Sequence, residues 1–372
     1  MTRLFDGAAS GFMSCVALFI MTSLGGCRAN DVPTDWKSDC VGRIQLSFPG
    51  DVEVAANSAK TAEAGYIIGN DQPRFEFADG QYAGWSTLVY LGRLYASHPL
   101  SAAERERLAM SARQSAFRTL DAVRKKKKDK AGNALVFEEL DTKPFVGEAS
   151  RVNAAYNASL FVGDTLFWIS LPGYDTTWKD QRNVVDGLLA GLASRQIGSI
   201  PIKPGVCVPY MFVGDDGQPR RHIAMTYRLR EHPDITIMLE DSSAVEIDPK
   251  ANPEVYDPEG ISDSFWSRYD NTYRKSLRSV WSTPYRRIKL ADSKGLESFV
   301  KIVRDNDAVD YGYLVVARGD PKAKEDTPDL MLYVIQDSKN AKAKGIEPLG
   351  KDAFLAMAQT VAASVKRRPT SP

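Results

Sequence analysis

A stretch rich in proline and glycine divides the sequence into two parts of similar size. Residues 198–205 read Gly-Ser-Ile-Pro-Ile-Lys-Pro-Gly. Two prolines between flanking glycines can continue neither a helix nor a central strand, so we expect no regular element to cross this point. We therefore predict a linker at 198–206, a first domain at 40–197 and a second domain at 207–368. The 372 residues of the chain are enough for two domains that each bury a core.

The two parts share one order of predicted elements: a cysteine, strands, a helix, further strands and a closing helix. Runs of consecutive strands interrupted by single helices favour antiparallel sheets. The predicted fold class is therefore α+β, with two similar domains that each have a mainly antiparallel sheet and helices packed on one face. Alternating or branched apolar residues predict the strands at 43–48, 74–77, 85–95, 135–137, 152–161, 165–171, 222–229, 235–239, 286–290, 311–317 and 330–335.

Four helices are predicted from apolar residues three and four positions apart. The first begins at Ser101, which can form a capping box with Glu104. Asp175 is the predicted cap of the second helix, and Ser262 or Asp263 that of the third. The expected buried stripes are Leu108, Ala112, Phe117, Leu120 and Val123; Trp178, Val185, Leu188, Leu189 and Leu192; Trp266, Tyr269, Tyr273, Leu277 and Val280; and Leu355, Ala358, Ala362 and Val365.

The N-terminal segment has the features of a secretory signal. An apolar stretch from Phe12 to Ile20 precedes the small residues of Leu24-Gly25-Gly26-Cys27. This site resembles the lipobox of bacterial lipoproteins, which implies cleavage after residue 26 and acylation of Cys27. Residues 1–26 would then be the signal peptide and residues 27–39 a polar tether. An uncleaved anchor or an ordinary secretory signal is the alternative. The apolar stretch is too short for a bilayer span, which needs about 20 apolar residues, so the lipid would be the only membrane attachment.

The cysteines of the mature chain allow a single disulfide. Cys15 would leave with the signal peptide and Cys27 would carry the lipid, so Cys40 and Cys207 remain. Disulfides form and persist outside the cytoplasm. Either these two cysteines are bonded, which would tie the start of the first part to the start of the second, or each is a separately buried thiol.

Charge and motifs favour a protein that binds without chemistry of its own. The net charge of +1 gives no general attraction to nucleic acid. None of the three histidines, His98, His222 and His232, stands at metal-ligand spacing from another histidine or a cysteine. The sequence has no G-x-S-x-G elbow and no nucleotide-binding glycine loop, so we predict no catalytic residue, metal or cofactor.

The strongest local charge feature is a basic run near the end of the first predicted helix. Cations at this end complement the helix dipole, which explains the run as a solvated helix terminus. The alternative is a docking patch for an acidic partner or for lipid headgroups, and the loop at 248–259 is a second candidate surface. The residues of the basic cluster are Arg124, Lys125, Lys126, Lys127 and Lys128.

Segments around the two cysteines resemble a known family. Asp39-Cys40-Val41-Gly42-Arg43, followed by a strand and Pro49-Gly50, is similar to the start of the N-terminal domain of the Tli4 family. Pro204-Gly205-Val206-Cys207-Val208 and the later Glu231-His232-Pro233-Asp234-Ile235 resemble the C-terminal domain of that family. The order and separation of these segments agree with the family over the whole mature chain.

The resemblance implies an immunity protein without enzymatic activity. Members of the Tli4 family are paired with phospholipase effectors of type VI secretion, which they bind and inhibit in the periplasm, often from a lipid anchor. The residue after Cys27 is Arg28 rather than aspartate, which by resemblance to bacterial sorting patterns favours the outer membrane over the inner. The alternatives are a cell-envelope lipoprotein that binds a small molecule, one with an unrecognised hydrolase activity, or a structural component of an envelope assembly.

Overall fold

The computed structural model of the protein describes residues 32–59, 74–128, 132, 134–173, 177–252, 256–269 and 273–369. The predicted signal peptide, the lipidation site Cys27 and the predicted helix cap Asp175 lie outside these residues. The second predicted helix begins at Trp178 with Thr177 as its cap, so the prediction of Asp175 as the cap is wrong. No helix within the described ranges has the length and apolar character that a bilayer span requires.

The first half of the chain contains twelve named strands and two named helices in its described part. The strands are β1 (Lys37–Val41), β2 (Ile44–Phe48), β3 (Val52–Val54), β4 (Ala56–Asn57), β5 (Phe75–Glu76), β6 (Thr87–Tyr90), β7 (Gly92–Ala96), β8 (Phe137–Leu140), β9 (Val146–Val152), β10 (Ala155–Val162), β11 (Thr165–Leu171) and β12 (Leu192–Ser194). The helices are α1 (Ala102–Lys126) and α2 (Trp178–Gly191).

The second half begins at the end of the segment rich in proline and glycine. Its strands are β13 (Gly205–Val208), β14 (Met211–Gly214), β15 (Arg221–Leu229), β16 (Ile235–Ser242), β17 (Arg274–Ser279), β18 (Arg286–Leu290), β19 (Ser293–Arg304), β20 (Val309–Ala317), β21 (Asp329–Gln336) and β22 (Lys366–Arg367). Its helices are α3 (Pro258–Arg268), α4 (Ser338–Lys344) and α5 (Lys351–Ser364).

A single 14-stranded sheet runs through both halves. The first half contributes β8-β9-β10-β11-β7-β6, and the second continues with β15-β16-β21-β20-β19-β17. The halves join where β6 pairs antiparallel with β15, from Tyr90 opposite Arg221 to Thr87 opposite Ala224. The ladders on this path are antiparallel, so the predicted α+β class with mainly antiparallel sheets is confirmed. The division into domains at 40–197 and 207–368 stays a prediction, because the shared sheet crosses it.

The two halves repeat one pattern of connections. In each, a hairpin (β6-β7 or β15-β16) leads through a helix to a meander of strands, and the last strand of the meander returns to pair with the second strand of the hairpin. A closing helix follows, which is α2 in the first half and α5 in the second. The repeated order of elements read from the sequence therefore reflects a repeated topology.

The helices lie on both faces of the sheet. Along β20, Tyr313 and Val315 belong to the same core as Phe354 of α5, whereas Leu314 and Val316 pack with Trp266 of α3. In the first half, α2 belongs to the core of the α5 face, and α1 packs on the other face. The expectation of helices on one face is corrected here. Periodicity shows which stripe of a helix is buried, but not which side of a sheet receives it.

Two three-stranded sheets cover the α2 and α5 face, and a disulfide joins them. The hairpin β1-β2 is completed by β22 from the end of the chain, and the hairpin β13-β14 is completed by β12. Cys40 on β1 and Cys207 on β13 are bonded, with their Cα atoms 5.7 Å apart. The backbone of Gly42 also exchanges two hydrogen bonds with Cys207, at 2.9 and 2.8 Å. The hairpins that open the two halves thus contact each other directly.

The sequence located the helices better than their buried faces. The capping box of Ser101 and Glu104 is present at the start of α1. On the same helix Phe117 is 63% exposed, although it was expected in the buried stripe. The third helix is capped by Asp257, with Pro258 in its first turn, rather than by Ser262 or Asp263. This helix ends at Arg268, so Tyr273, which is 75% exposed, lies outside it.

Candidate binding surface

Two helices stand on the same face of the large sheet and leave its central strands between them. Helix α1 packs over β9, near one end of the sheet, and α3 packs over β19 and β20, near the other end. The strands between these helices include β7, β6, β15 and β16, where the two halves join. We call the side chains of these strands on this face, Val89, Arg93, Tyr95, His222 and Glu240, the interhelix band.

One row of the interhelix band crosses the join between the halves. His222 on β15 lies directly opposite Val89 on β6, and Val89 lies opposite Arg93 on β7. Directly paired residues point to the same face of a sheet. The Val89 side chain is 38% exposed, the His222 side chain is 48% exposed, and Arg93 is also exposed. The row therefore presents a cation, an apolar side chain and an imidazole to solvent.

The flanking positions add an aromatic pair and a carboxylate. The Tyr95 ring packs on Trp168, with 4.6 Å between the ring centroids. Glu240 on β16 approaches His222, with 3.1 Å between Oε1 and Nε2. The hydrogen bond with Glu240 raises the pKa of His222 against the opposing effect of burial. This contact stabilises the imidazolium form, as a neighbouring carboxylate does.

Of the charged side chains in this row, Asp329 forms an ion pair with another described residue and Arg93 does not. Asp329, next to Ser242 along the row, pairs with Arg318 at 3.3 Å between Oδ1 and Nε. Burial raises the pKa of Asp329. Arg93 forms no ion pair with any residue in the described ranges, and its guanidinium donates a hydrogen bond to the Tyr95 hydroxyl. The Arg93 guanidinium is therefore an exposed charge within the interhelix band. No carboxylate from the described part of this chain is paired with it.

A buried polar cluster on the opposite face holds the join between the halves. Arg221 of β15 contacts Asp241 at 2.6 Å and Asp326 at 2.7 Å. Tyr90 of β6 donates its hydroxyl hydrogen to Asp215 at 2.6 Å, and Arg43 pairs with the same carboxylate at 2.9 Å. Burial and the Asp215 carboxylate raise the pKa of Tyr90. Arg43 also approaches Asp326, with 3.7 Å between Nη1 and Oδ2, so the cluster links Tyr90 of β6 to Arg221 of β15 on the face opposite the interhelix band.

A second buried cluster connects the first hairpin to the linker and to the large sheet. Asp39, next to the bonded Cys40, forms an ion pair with Arg195, and both side chains are almost wholly buried. The Tyr227 hydroxyl donates to the Asp39 carboxylate at 2.8 Å, and the Gly198 amide donates to it at 3.1 Å. One carboxylate therefore joins β1, the segment after β12 and β15.

The basic cluster predicted from the sequence lies at the exposed end of α1. Arg124, Lys125 and Lys126 form the last helical turn. Lys127 is the C-cap, and Lys128 forms an isolated bridge with Ala134. All five side chains are exposed, and the position fits the favourable interaction of cations with a helix C-terminus. The cluster lies on α1, beside the interhelix band rather than within it. Its role as an interface stays a prediction.

No local sequence pattern marks the interhelix band as a surface. His222 and Tyr95 were placed on strands, but the pairing of β6 with β15 joins residues about 130 positions apart along the chain, and no local pattern sets such a register. The available signal was alternation, because Arg93 and Tyr95 share one face of β7 while Leu94 and Ala96 are buried on the other. Within the described ranges, no group of three or more His, Cys, Asp or Glu residues could hold a metal ion.

Comparison with known proteins identifies relatives of this chain. Residues 199–255 match the model of the Tle cognate immunity protein 4 C-terminal domain. No curated protein matches the sequence. The apo structure of the immunity protein TplEi of the type VI secretion system from Pseudomonas aeruginosa is similar in fold, with a TM-score of 0.52, 16% identity, and coverage of 91% of this chain and 99% of that one.

Two further solved structures share the fold. One is TplEi from Pseudomonas aeruginosa complexed with "L" peptide, with a TM-score of 0.53, 14% identity, and coverage of 91% of this chain and 99% of that one. The other is the Tle4-Tli4 complex, with a TM-score of 0.52, 16% identity, and coverage of 90% and 98%. The family model over residues 199–255 and the fold over nine-tenths of the chain agree with the resemblance read from the sequence: this chain is similar to the Tli4 immunity proteins.

Proposed function

We propose that this protein is an immunity protein that binds and inhibits a phospholipase effector of type VI secretion. The observation that carries the proposal is the interhelix band between α1 and α3. This band lies across the join of the two halves and exposes Val89, Arg93 and His222. The similarity to TplEi and to the immunity protein of the Tle4-Tli4 complex supports an effector as the occupant of this band.

The chemistry of the interhelix band suits docking of a protein. It combines an aromatic pair, an aliphatic side chain and charges of both signs, which is the mixture found in protein interfaces. The partner is bound by shape and charge, and inhibition follows from covering the effector rather than from a reaction. The protein therefore acts without catalysis and without a cofactor in this proposal.

The proposal includes attachment in the cell envelope. Cleavage before Cys27 and acylation of its sulfur would leave a tether of residues 27–39 between the lipid and β1. The protein would then be held in the periplasm, at the outer membrane, close to the phospholipids that the effector attacks. Tethering raises the effective concentration of an inhibitor at that surface.

Co-expression tests the proposal. A phospholipase effector from the same strain is directed to the periplasm of a test bacterium, with or without this protein. We expect survival only when the protein is present, and co-purification of the effector with residues 28–372. Lysis of the cells despite full expression of the protein contradicts the proposal.

A matched pair of variants separates the interhelix band from the rest of the surface. Val89→Asp places a charge in the band, where the native side chain is 38% exposed. Val184→Asp places the same charge on α2, on the other face of the sheet, where the native side chain is 37% exposed. We expect Val89→Asp to abolish protection and Val184→Asp to retain it. Equal protection by both folded variants rejects the band as the binding surface.

A further inference from the structure

We propose that the interhelix band binds an acidic segment of the partner, whose carboxylate is held by Arg93 beside protonated His222. This inference rests on the proposed function and specifies the chemistry of the partner at that surface. It begins from Arg93, an exposed guanidinium that forms no ion pair with any described residue of its own chain. A guanidinium offers a planar fork of donors that matches a carboxylate.

The position of Arg93 favours a protein segment over a membrane. Helices α1 and α3 stand on the same face as Arg93, and each is about 10 Å across. The core beneath α1 reaches Leu166 on β11, and the core beneath α3 reaches Ala224 on β15. Three strand spacings separate β11 from β15, which is about 14 Å at 4.8 Å per spacing. A flat bilayer cannot reach the interhelix band between α1 and α3, whereas a helix or a loop of a protein fits between these two helices.

The neighbours of Arg93 define the rest of the segment. Val89 lies between Arg93 and His222 in the same row. A side chain of the partner that packs on Val89 therefore lies between a guanidinium and an imidazole. Arg93 and His222 are two strand spacings apart, about 10 Å. The fitting occupant is an acidic segment with an apolar side chain next to its carboxylate.

The charge of the row depends on the proton of His222. When His222 is protonated, its charge is offset by Glu240, and Arg93 gives the row a net charge of about +1. When the proton leaves, the Glu240 carboxylate offsets Arg93, and the row becomes neutral. The other charged group along the row, Asp329, is already paired with Arg318, and Tyr95 is neutral over this pH range. Binding of a carboxylate is therefore stronger at low pH.

Charge variants of Arg93 test the inference with the type VI phospholipase effector of the same strain as the probe. We expect Arg93→Gln to weaken binding at least tenfold and Arg93→Glu to weaken it further, while Arg93→Lys retains most of the affinity. Arg287→Gln is the matched control, because Arg287 is an exposed arginine on β18 at the far end of the same sheet, and we expect it to bind as wild type.

The pH dependence gives a second readout. We expect the wild-type protein to bind the effector several-fold more tightly at pH 5.5 than at pH 8, and His222→Gln to remove most of that difference. Folded Arg93→Glu protein that binds the effector as tightly as wild type overturns the inference, while inhibition by the wild type would still support the proposed function. Loss of vesicle binding without loss of effector binding in Arg93→Glu also overturns it, because the occupant would then be a lipid surface.

Discussion

Cys40 and Cys207 join two hairpins that occupy matching positions in the two halves of the chain. Each hairpin precedes the strands of its half, and each is completed by a strand that follows a closing helix, β22 after α5 and β12 after α2. The disulfide spans 167 positions in sequence, so it constrains the unfolded chain as a whole. The two hairpins and the buried polar clusters lie on the face of the large sheet that also carries α2 and α5, opposite the interhelix band.

Removal of this disulfide is expected to cost substantial stability. For a loop of this length, the chain-entropy model gives a loss of about 5 kcal/mol in the free energy of unfolding. Urea denaturation of Cys40→Ser/Cys207→Ser against wild type measures the loss. Dithiothreitol should destabilise the wild type and leave the double variant unchanged. A wild-type midpoint that does not respond to complete reduction contradicts this prediction.

Loss of the ion pair between Asp39 and Arg195 is expected to lower the stability of the protein more than loss of the Tyr227 hydroxyl, which donates to the same carboxylate. Asp39→Asn leaves the buried Arg195 guanidinium without its countercharge, which costs about 3–5 kcal/mol. Tyr227→Phe removes one hydrogen bond to the same carboxylate and costs about 1–2 kcal/mol. The two variants are compared by urea denaturation. An Asp39→Asn variant no less stable than Tyr227→Phe shows that the ion pair does not hold the linker in place.

The cap of α1 provides a smaller and local effect. Ser101→Ala removes the hydroxyl that accepts from the Glu104 amide and donates to the Glu104 carboxylate. The backbone amide of residue 101 still donates to that carboxylate, and the expected loss is about 1 kcal/mol. Ser115→Ala, within the same helix, is the control, and we expect it to change stability by less than about 0.5 kcal/mol. Thermal denaturation of both variants checks the ranking, and a reversed order contradicts it.

Protonation of His222 links stability to pH in a defined direction. Glu240 raises the pKa of His222 above its ordinary value, which is about 6.5 in an unfolded chain. The folded state therefore holds the proton more tightly, so the contribution is complete below pH 6.5 and is lost as the pH rises through the folded pKa. The pair is partly exposed, so its magnitude stays below about 1 kcal/mol.

Comparison of wild type with His222→Gln checks this linkage. We expect the stability difference between the two proteins to be larger at pH 5.5 than at pH 8.5, in urea denaturation at each pH. Glu240→Gln should also weaken the pH dependence, because it removes the carboxylate charge that favours the imidazolium. A difference that grows toward high pH has the wrong sign and excludes the pair as its source.

Local patterns in the sequence located most elements of the fold. The strand at 165–171 and the strand at 286–290 have the predicted bounds, because each is an apolar or alternating run with a clear end. The capping box at Ser101 gave the start of α1. Such features depend on residues within a few positions of one another, which is the range that periodicity and capping chemistry cover.

The errors arose where distant parts of the chain decide the outcome. The predicted helical stripe through Tyr273 continued past Arg268, because the tyrosines there keep helical spacing although the chain has already left the helix for β17. Phe117 was expected in a buried stripe, yet only Leu108 of α1 is fully buried. The interhelix band depends on the register of Val89 with His222, which is set by the joining of two halves and not by either strand alone.

Titration of a phospholipase effector with this protein measures directly whether the protein inhibits the enzyme through the interhelix band. The purified effector hydrolyses phospholipid vesicles, and residues 28–372 of the chain are added in increasing amounts while release of fatty acid is measured. We expect activity to fall to zero at a fixed stoichiometry, and we expect Val89→Asp to abolish the inhibition while Val184→Asp does not. Undiminished hydrolysis in the presence of excess folded protein would contradict it.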